Sequence, residues 1–290
     1  MSKAQRTRSQ AARQRIEAQQ AAARQAARRR RIALAGGAVV AVVAAVVAIV
    51  AAGLSKSVPP PGPVTGNPAL ARQLTSVPAA TFNAVAAGTA TGLKPVSGEP
   101  ELDRHGLPEV LYMGGEFCPY CAAERWAIAA ALSRFGTLSG LRFIHSSPTD
   151  VYPDTATLSF YRVGYMSRYV SFVPVEWYGE ADDPGTPLGH VYLQQPTAAE
   201  IALFSKYAPG IPFLDVANRY VLPQASYLPS ALAGLSWSAV VADMDDPASA
   251  VALDIDGAAN IISAAICKQT NGQPVGVCQS SGVMRAAGRL

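Results

Sequence analysis

Two cysteines at i and i+3 spacing, Cys118 and Cys121, enclose Pro119 and Tyr120 and follow the apolar run Val110-Leu111-Tyr112-Met113-Gly114-Gly115. Cysteines so spaced serve thiol–disulfide exchange, half of a zinc site, or a structural bridge. The flanking sequence favours exchange. An extended apolar segment, two glycines, a proline, and then Ala122, Ala123, Trp126, Ala127, Ala130 and Ala131 at helical spacing predict strand, tight turn and a helix running to Phe135. Cys118 then stands at the helix N-terminus, where unpaired backbone N–H groups and the positive end of the helix dipole stabilise a thiolate. Cys121 follows one turn later on the same side, and Pro119 and Tyr120 support the helix start. The first sulfur is expected to be exposed and to attack; the second resolves.

This placement resembles the active-site motif of the thioredoxin superfamily, and the Pro-Tyr filling is shared with glutaredoxins. A second stretch, Tyr207-Ala208-Pro209-Gly210-Ile211-Pro212-Phe213-Leu214, resembles the thioredoxin-fold turn in which a cis-proline opens an antiparallel strand beside the Cys-x-x-Cys. The resemblance implies that Ile211 and Pro212 dock substrate. The proline ring would pack against the disulfide and keep metal off the thiols, and the Ile211 backbone would pair with a peptide by strand addition.

The run Gly115-Glu116-Phe117-Cys118-Pro119-Tyr120-Cys121-Ala122-Ala123-Glu124-Arg125-Trp126, with Ser133-Arg134-Phe135-Gly136, is similar to an uncharacterised bacterial and archaeal family of membrane-anchored proteins catalogued as domain of unknown function 929. That likeness implies a thioredoxin-like fold and supplies no substrate. One position departs from cytosolic thioredoxin: the buried acid expected six residues before the first cysteine is Tyr112 here, which leaves Glu116 or Glu124 as a substitute.

The chain must also place this site. Its 290 residues are 50% hydrophobic and 15% charged, ample for a core. The net charge of +4 is unevenly spread, because residues 1–31 hold ten Lys or Arg against the single acid Glu17, which leaves the remainder acidic. A basic character confined to one end argues against nucleic-acid binding by the whole protein. Residues 32–54 carry no charge, and a helix of that length reaches about 34 Å, enough to cross a bilayer core. We read residues 1–31 as a cytoplasmic basic segment, 32–54 as an uncleaved single-pass transmembrane helix, 55–68 as a Pro/Gly-rich linker, and 69–290 as an extracytoplasmic domain. All four cysteines then lie on the outer face, where disulfides persist.

Within the domain, residues 69–86 predict one or two short helices broken at Pro78. Residues 93–96 and 107–113 predict a hairpin feeding the central strand, and residues 141–145 a second strand joined to the first by a right-handed crossover as a parallel pair. Two further strands are expected at 157–163 and 169–178. Thr197 begins a helix through Tyr207 with Glu200 in a capping box. His145 ends its strand as a half-buried residue or a proton-transfer group, and His105 and His190 carry no ligand spacing. Helices fill residues 230–266.

Cys267 and Cys278 bracket a short polar loop that a structural disulfide would close; a relay pair passing electrons to Cys118 and a four-cysteine zinc site are the alternatives. No metal and no cofactor beyond a redox-active Cys118–Cys121 disulfide is expected. The expected architecture is thus α/β and thioredoxin-like, with an N-terminal extension, a β/α insertion before the cis-proline strand and extra C-terminal helices. The expected activity is exchange with protein thiols or disulfides, with a membrane electron-transfer partner if the direction is oxidation. A redox-inert adaptor and a glutaredoxin-like reductase are the rival readings.

Overall fold

The computed structural model describes residues 66–290. The basic segment, the expected transmembrane helix and nearly all of the linker lie outside those residues.

Two short helices come first, α1 (Pro68–Leu74) and α2 (Ala79–Val85), parted as expected at Pro78, which occupies the N-cap of α2. The chain continues through β1 (Lys94–Pro95), β2 (Asp103–Arg104) and β3 (Leu107–Gly115) into α3 (Pro119–Ser133). Four short strands follow, β4 (Gly136–Ser139), β5 (Arg142–His145), β6 (Ala156–Ser159) and β7 (Gly164–Ser167), and then the long β8 (Ser171–Asp182) and β9 (His190–Tyr192). Helix α4 (Ala198–Tyr207) leads to β10 (Phe213–Val216) and β11 (Tyr220–Leu222), and α5 (Trp237–Asp245), α6 (Ala250–Gln269), α7 (Val275–Cys278) and α8 (Ser281–Ala286) close the chain.

The main sheet is mixed and runs β1-β11-β10-β3-β8-β9, with β2 pairing onto β3. The central β3 is parallel to β8 on one side and antiparallel to β10 on the other. Strands pair here through the alternation of their side chains. Val110 and Tyr112 of β3, with Leu214 and Val216 of β10, face a core formed with Trp126, Ala127 and Ala130 of α3 and Ile255 and Ile262 of α6. Leu111, Met113 and Phe213 face the other way, beneath Leu203, Phe204 and Tyr207 of α4. The layers are therefore α3 and α6, sheet, and α4.

The pairing departs from the sequence expectation in two places. The strand after α3 does not join β3: β5 pairs antiparallel with β6, β4 pairs with β7, and the parallel partner of β3 is β8, beyond both small hairpins. Burial decides it, because Val173, Val175 and Trp177 of β8 supply the face that packs with Met113 and Phe204, whereas β5 lays Phe143 against Trp126. Residues 93–96 likewise do not form a hairpin with β3. Lys94 and Pro95 pair with β11, and the hairpin into β3 is the β2 turn, where His105 and Gly106 both take positive φ.

The local signals hold. Thr197 and Glu200 make a reciprocal capping box on α4. Cys267 and Cys278 are disulfide-bonded, the pairing expected of a structural bridge. Among the described residues, α6 is the one helix long and apolar enough to cross a membrane, yet it is the main core helix of the domain and mostly buried.

Candidate active site

Strand β3 ends in two glycines because three side chains occupy the space that other residues would need. A Cβ on Gly114 would fall 2.0 Å from the Tyr112 hydroxyl oxygen, and one on Gly115 would meet the Phe117 ring at 2.9 Å and Ile211 Cδ1 at 3.3 Å. The register against β8 slips between these glycines, and such irregularities re-aim a strand end. The chain turns there into α3.

Cys118 is the N-cap of α3, with Pro119 in the first turn; its backbone is extended (φ −78°, ψ 123°) and its sulfur accepts the Cys121 N–H at 3.3 Å. Across from it, the Ile211 carbonyl oxygen stands 4.0 Å from Cys118 Sγ, and the Ile211–Pro212 bond is cis. Residues almost a hundred positions apart thus meet, because β10 pairs antiparallel with β3 and begins beside the end of β3. The four residues Cys118, Cys121, Ile211 and Pro212 are together, and Cys267–Cys278 is elsewhere, between α6 and α7. Among the described residues no group of three His, Cys, Asp or Glu side chains is placed to hold a metal.

One expectation is corrected. The first sulfur is not openly exposed: both cysteines are free thiols and both are buried, Cys118 at 6% exposure and Cys121 at 0%. The cause is the cap itself, which folds the sulfur back over the first turn while the Ile211 loop closes on it. Aromatic pairs flank the pair of thiols. Phe117 stacks on His190 with ring centres 3.9 Å apart, and Tyr120 meets Tyr152 edge-on at 5.8 Å. His190 had no signal in the sequence, because its proximity depends on β9 pairing with β8. His145 lies against Trp237 with ring centres 4.5 Å apart.

The two thiols differ electrostatically. A hydrogen bond from the Cys121 thiol, together with the Cys121 N–H and the nearby Arg125 charge, holds the Cys118 thiol below its ordinary range against the opposing effect of burial. Burial, and then the neighbouring Cys118, push Cys121 well up. An acidic outer thiol and a reluctant inner one are what attack followed by resolution requires.

The carboxylates the sequence offered as proton relays are engaged elsewhere. Glu116 pairs with Arg142 at 2.6 Å and accepts a short bond from the Ser159 hydroxyl, its pKa raised chiefly by burial. Glu124 accepts the Ser226 N–H at 2.7 Å and its hydroxyl at 3.1 Å, and burial raises it to about 7. The charged group under the thiols is instead Arg125, which sequence reasoning quoted in the motif without assigning it a role. Its Nε and Nη2 donate to Glu176 of β8 at 2.7 and 2.8 Å, and both side chains are fully buried.

A mixed α/β protein whose central strand delivers a free dithiol to a helix N-terminus is the class that fold and site define. The chain belongs to the family described as Domain of unknown function (DUF929), which matches residues 96–268, a span holding both thiols, Arg125, Glu176 and the Ile211–Pro212 turn. No curated protein and no solved structure matches it.

Proposed function

We propose that the chain is a thioredoxin-like, membrane-anchored thiol–disulfide oxidoreductase acting on proteins outside the cytoplasm. The observation that carries this reading is the meeting of Cys118 Sγ, at the N-terminus of α3, with the Ile211 carbonyl of the cis-proline turn, 4.0 Å away. The strand order β8-β3-β10-β11, with the dithiol at the end of β3 and the cis-proline opening the antiparallel β10, supports the thioredoxin-like arrangement. The bonded Cys267–Cys278 pair fits an oxidising compartment. The uncharged run 32–54 behind a basic segment fits an anchor with its N-terminus in the cytoplasm.

The exchange moves two electrons. In the reducing sense, Cys118 as thiolate attacks a client disulfide, displacing one client sulfur as thiolate and forming a mixed disulfide. Cys121 loses its proton, attacks Cys118 Sγ and releases the second client sulfur, leaving a Cys118–Cys121 disulfide and a reduced client. The oxidising sense is the reverse, and its repeated turnover draws on a membrane electron acceptor.

Cys121→Ser tests it: without the resolving thiol, Cys118 retains clients as covalent adducts that reductant releases. Adducts that persist when Cys118 is also replaced, or none at all, defeat the proposal. The near-complete burial of Cys118 favours a second reading, a binding module whose dithiol is inert. Alkylation of the folded, reduced protein separates the two, since an inert thiol is modified only as fast as the domain unfolds.

A further inference from the structure

Arg125 is fully buried in the middle of α3, one turn beyond Cys121 and two beyond Cys118 on the same face. Its guanidinium is held by Glu176 through two bonds, and Nη2 also donates to the Gly115 carbonyl oxygen at 2.6 Å. That same oxygen accepts the Cys118 N–H at 3.2 Å. One carbonyl therefore ties the cation to the backbone of the attacking residue. Among the described residues Nη1 has no hydrogen-bond partner, nor does the Tyr112 hydroxyl, whose ring centre is 6.0 Å from the guanidinium carbon.

Stability does not explain this arrangement. An apolar pair of similar volume fills such a site at no greater cost than a desolvated Arg–Glu pair, and buried charges cluster where chemistry needs a field. The pair is neutral as a whole but not symmetric toward the thiols. Arg125 shares a helix face with both cysteines, donates to the carbonyl that accepts the Cys118 N–H, and bears on each thiol in the sense that favours thiolate, while Glu176 reaches in from β8 and partly offsets that charge. At the position where an acid would oppose that field stands Tyr112, buried and protonated.

We propose that Arg125 is a positioning residue that sets the redox poise of the Cys118–Cys121 pair, favouring its reduced form so that the disulfide form accepts electrons from client dithiols. The proposal rests on the reading of this pair as a redox centre. A client thiolate attacks Cys118 Sγ, the Cys118–Cys121 bond breaks, and Cys121 leaves with the electron pair and takes a proton. The client's second thiolate then attacks the client sulfur of the mixed disulfide and expels Cys118 as thiolate. The client loses two electrons and two protons; one proton rests on Cys121 and one passes to solvent. Both sulfurs leave beside the same cation, which stabilises leaving thiolates without touching the client.

The test uses the full chain in detergent micelles. Arg125→Met, Arg125→Lys and Glu176→Gln are equilibrated with glutathione buffers, and the ultraviolet absorbance of the Cys118 thiolate is followed against pH. Arg125→Met should shift the equilibrium toward the disulfide by about tenfold, about 30 mV, and raise the thiolate midpoint. Glu176→Gln should move both in the opposite direction, because it removes the compensating charge and keeps the cation; Arg125→Lys should stay near wild type. Loosened packing alone would move all three variants the same way, and that result, or an unmoved potential, overturns the assignment. Should Arg125→Met fail to fold, the sign of the Glu176→Gln shift decides. A wild-type protein that exchanges with glutathione while the variants do not shift it refutes only the role of Arg125. A wild-type protein that does not exchange refutes the redox reading itself.

Discussion

Replacing Cys118 separates its two duties, capping α3 and exchanging electrons. As a cap, its sulfur accepts one backbone N–H, that of Cys121 at 3.3 Å. Sulfur is a weak acceptor, so this cap belongs at the low end of the usual range, about 0.5 kcal/mol. Cys118→Ala forfeits it and leaves an amide without a partner under a nearly closed surface. Cys118→Ser sets a strong acceptor at the same place and gains about as much as alanine loses. The two variants should differ by about 1 kcal/mol with serine the more stable, which in a domain of this size is about 2–4 °C in Tm. The assay is thermal and denaturant unfolding of the reduced full chain, with the two variants compared at a common m-value. Both variants should be dead in disulfide exchange. If alanine equals or exceeds serine in stability, Cys118 does not cap the helix, and the argument that backbone N–H groups acidify its sulfur falls with it.

Three further outcomes follow from the packing. Gly114→Ala places a methyl on the Tyr112 hydroxyl and should cost about 1–3 kcal/mol by denaturant unfolding, with partial relief when Tyr112→Phe is added; strict additivity of the two would contradict the contact. Asp256 is fully buried with neither carboxylate oxygen partnered among the described residues, and burial raises its pKa to about 8. Because the folded pKa lies above the unfolded one, the stability it contributes is present below about pH 4 and is lost as pH rises toward 8, by up to about 1.4 kcal/mol per pH unit. Asp256→Asn should flatten that decline in unfolding curves taken between pH 5 and 9; an unchanged slope would place the titration elsewhere. Replacing Cys267 and Cys278 together by serine should lower stability by about 3 kcal/mol and leave the Cys118 exchange rate intact, whereas loss of exchange would make that pair the relay.

Sequence rules were sufficient wherever the physics is local. The strand-turn-helix around Cys118, the N-cap with Pro119 in the first turn, the break at Pro78 and the Thr197–Glu200 box each depend on residues within one helical turn, so spacing alone determined them. The Cys267–Cys278 bridge was legible for a similar reason, since a short polar loop brings its own ends together. The cis bond at Ile211–Pro212 was reached through likeness to a known turn rather than from the residues.

Tertiary structure alone decided the rest, because the deciding contacts cross the chain. The partner of β3 is β8 rather than β5, since two strands compete for one edge and only burial of the Val175 and Trp177 face against α4 separates them. Arg125 has no role in the sequence beyond its place in the motif until Glu176 arrives from that same β8 to share its burial. Cys118 was expected in the open because a helix N-terminus usually is; the Ile211 loop, carried in by β10, encloses it. What residues do within a turn is written in their order, and what charge or cover they acquire depends on which distant strand the core selects.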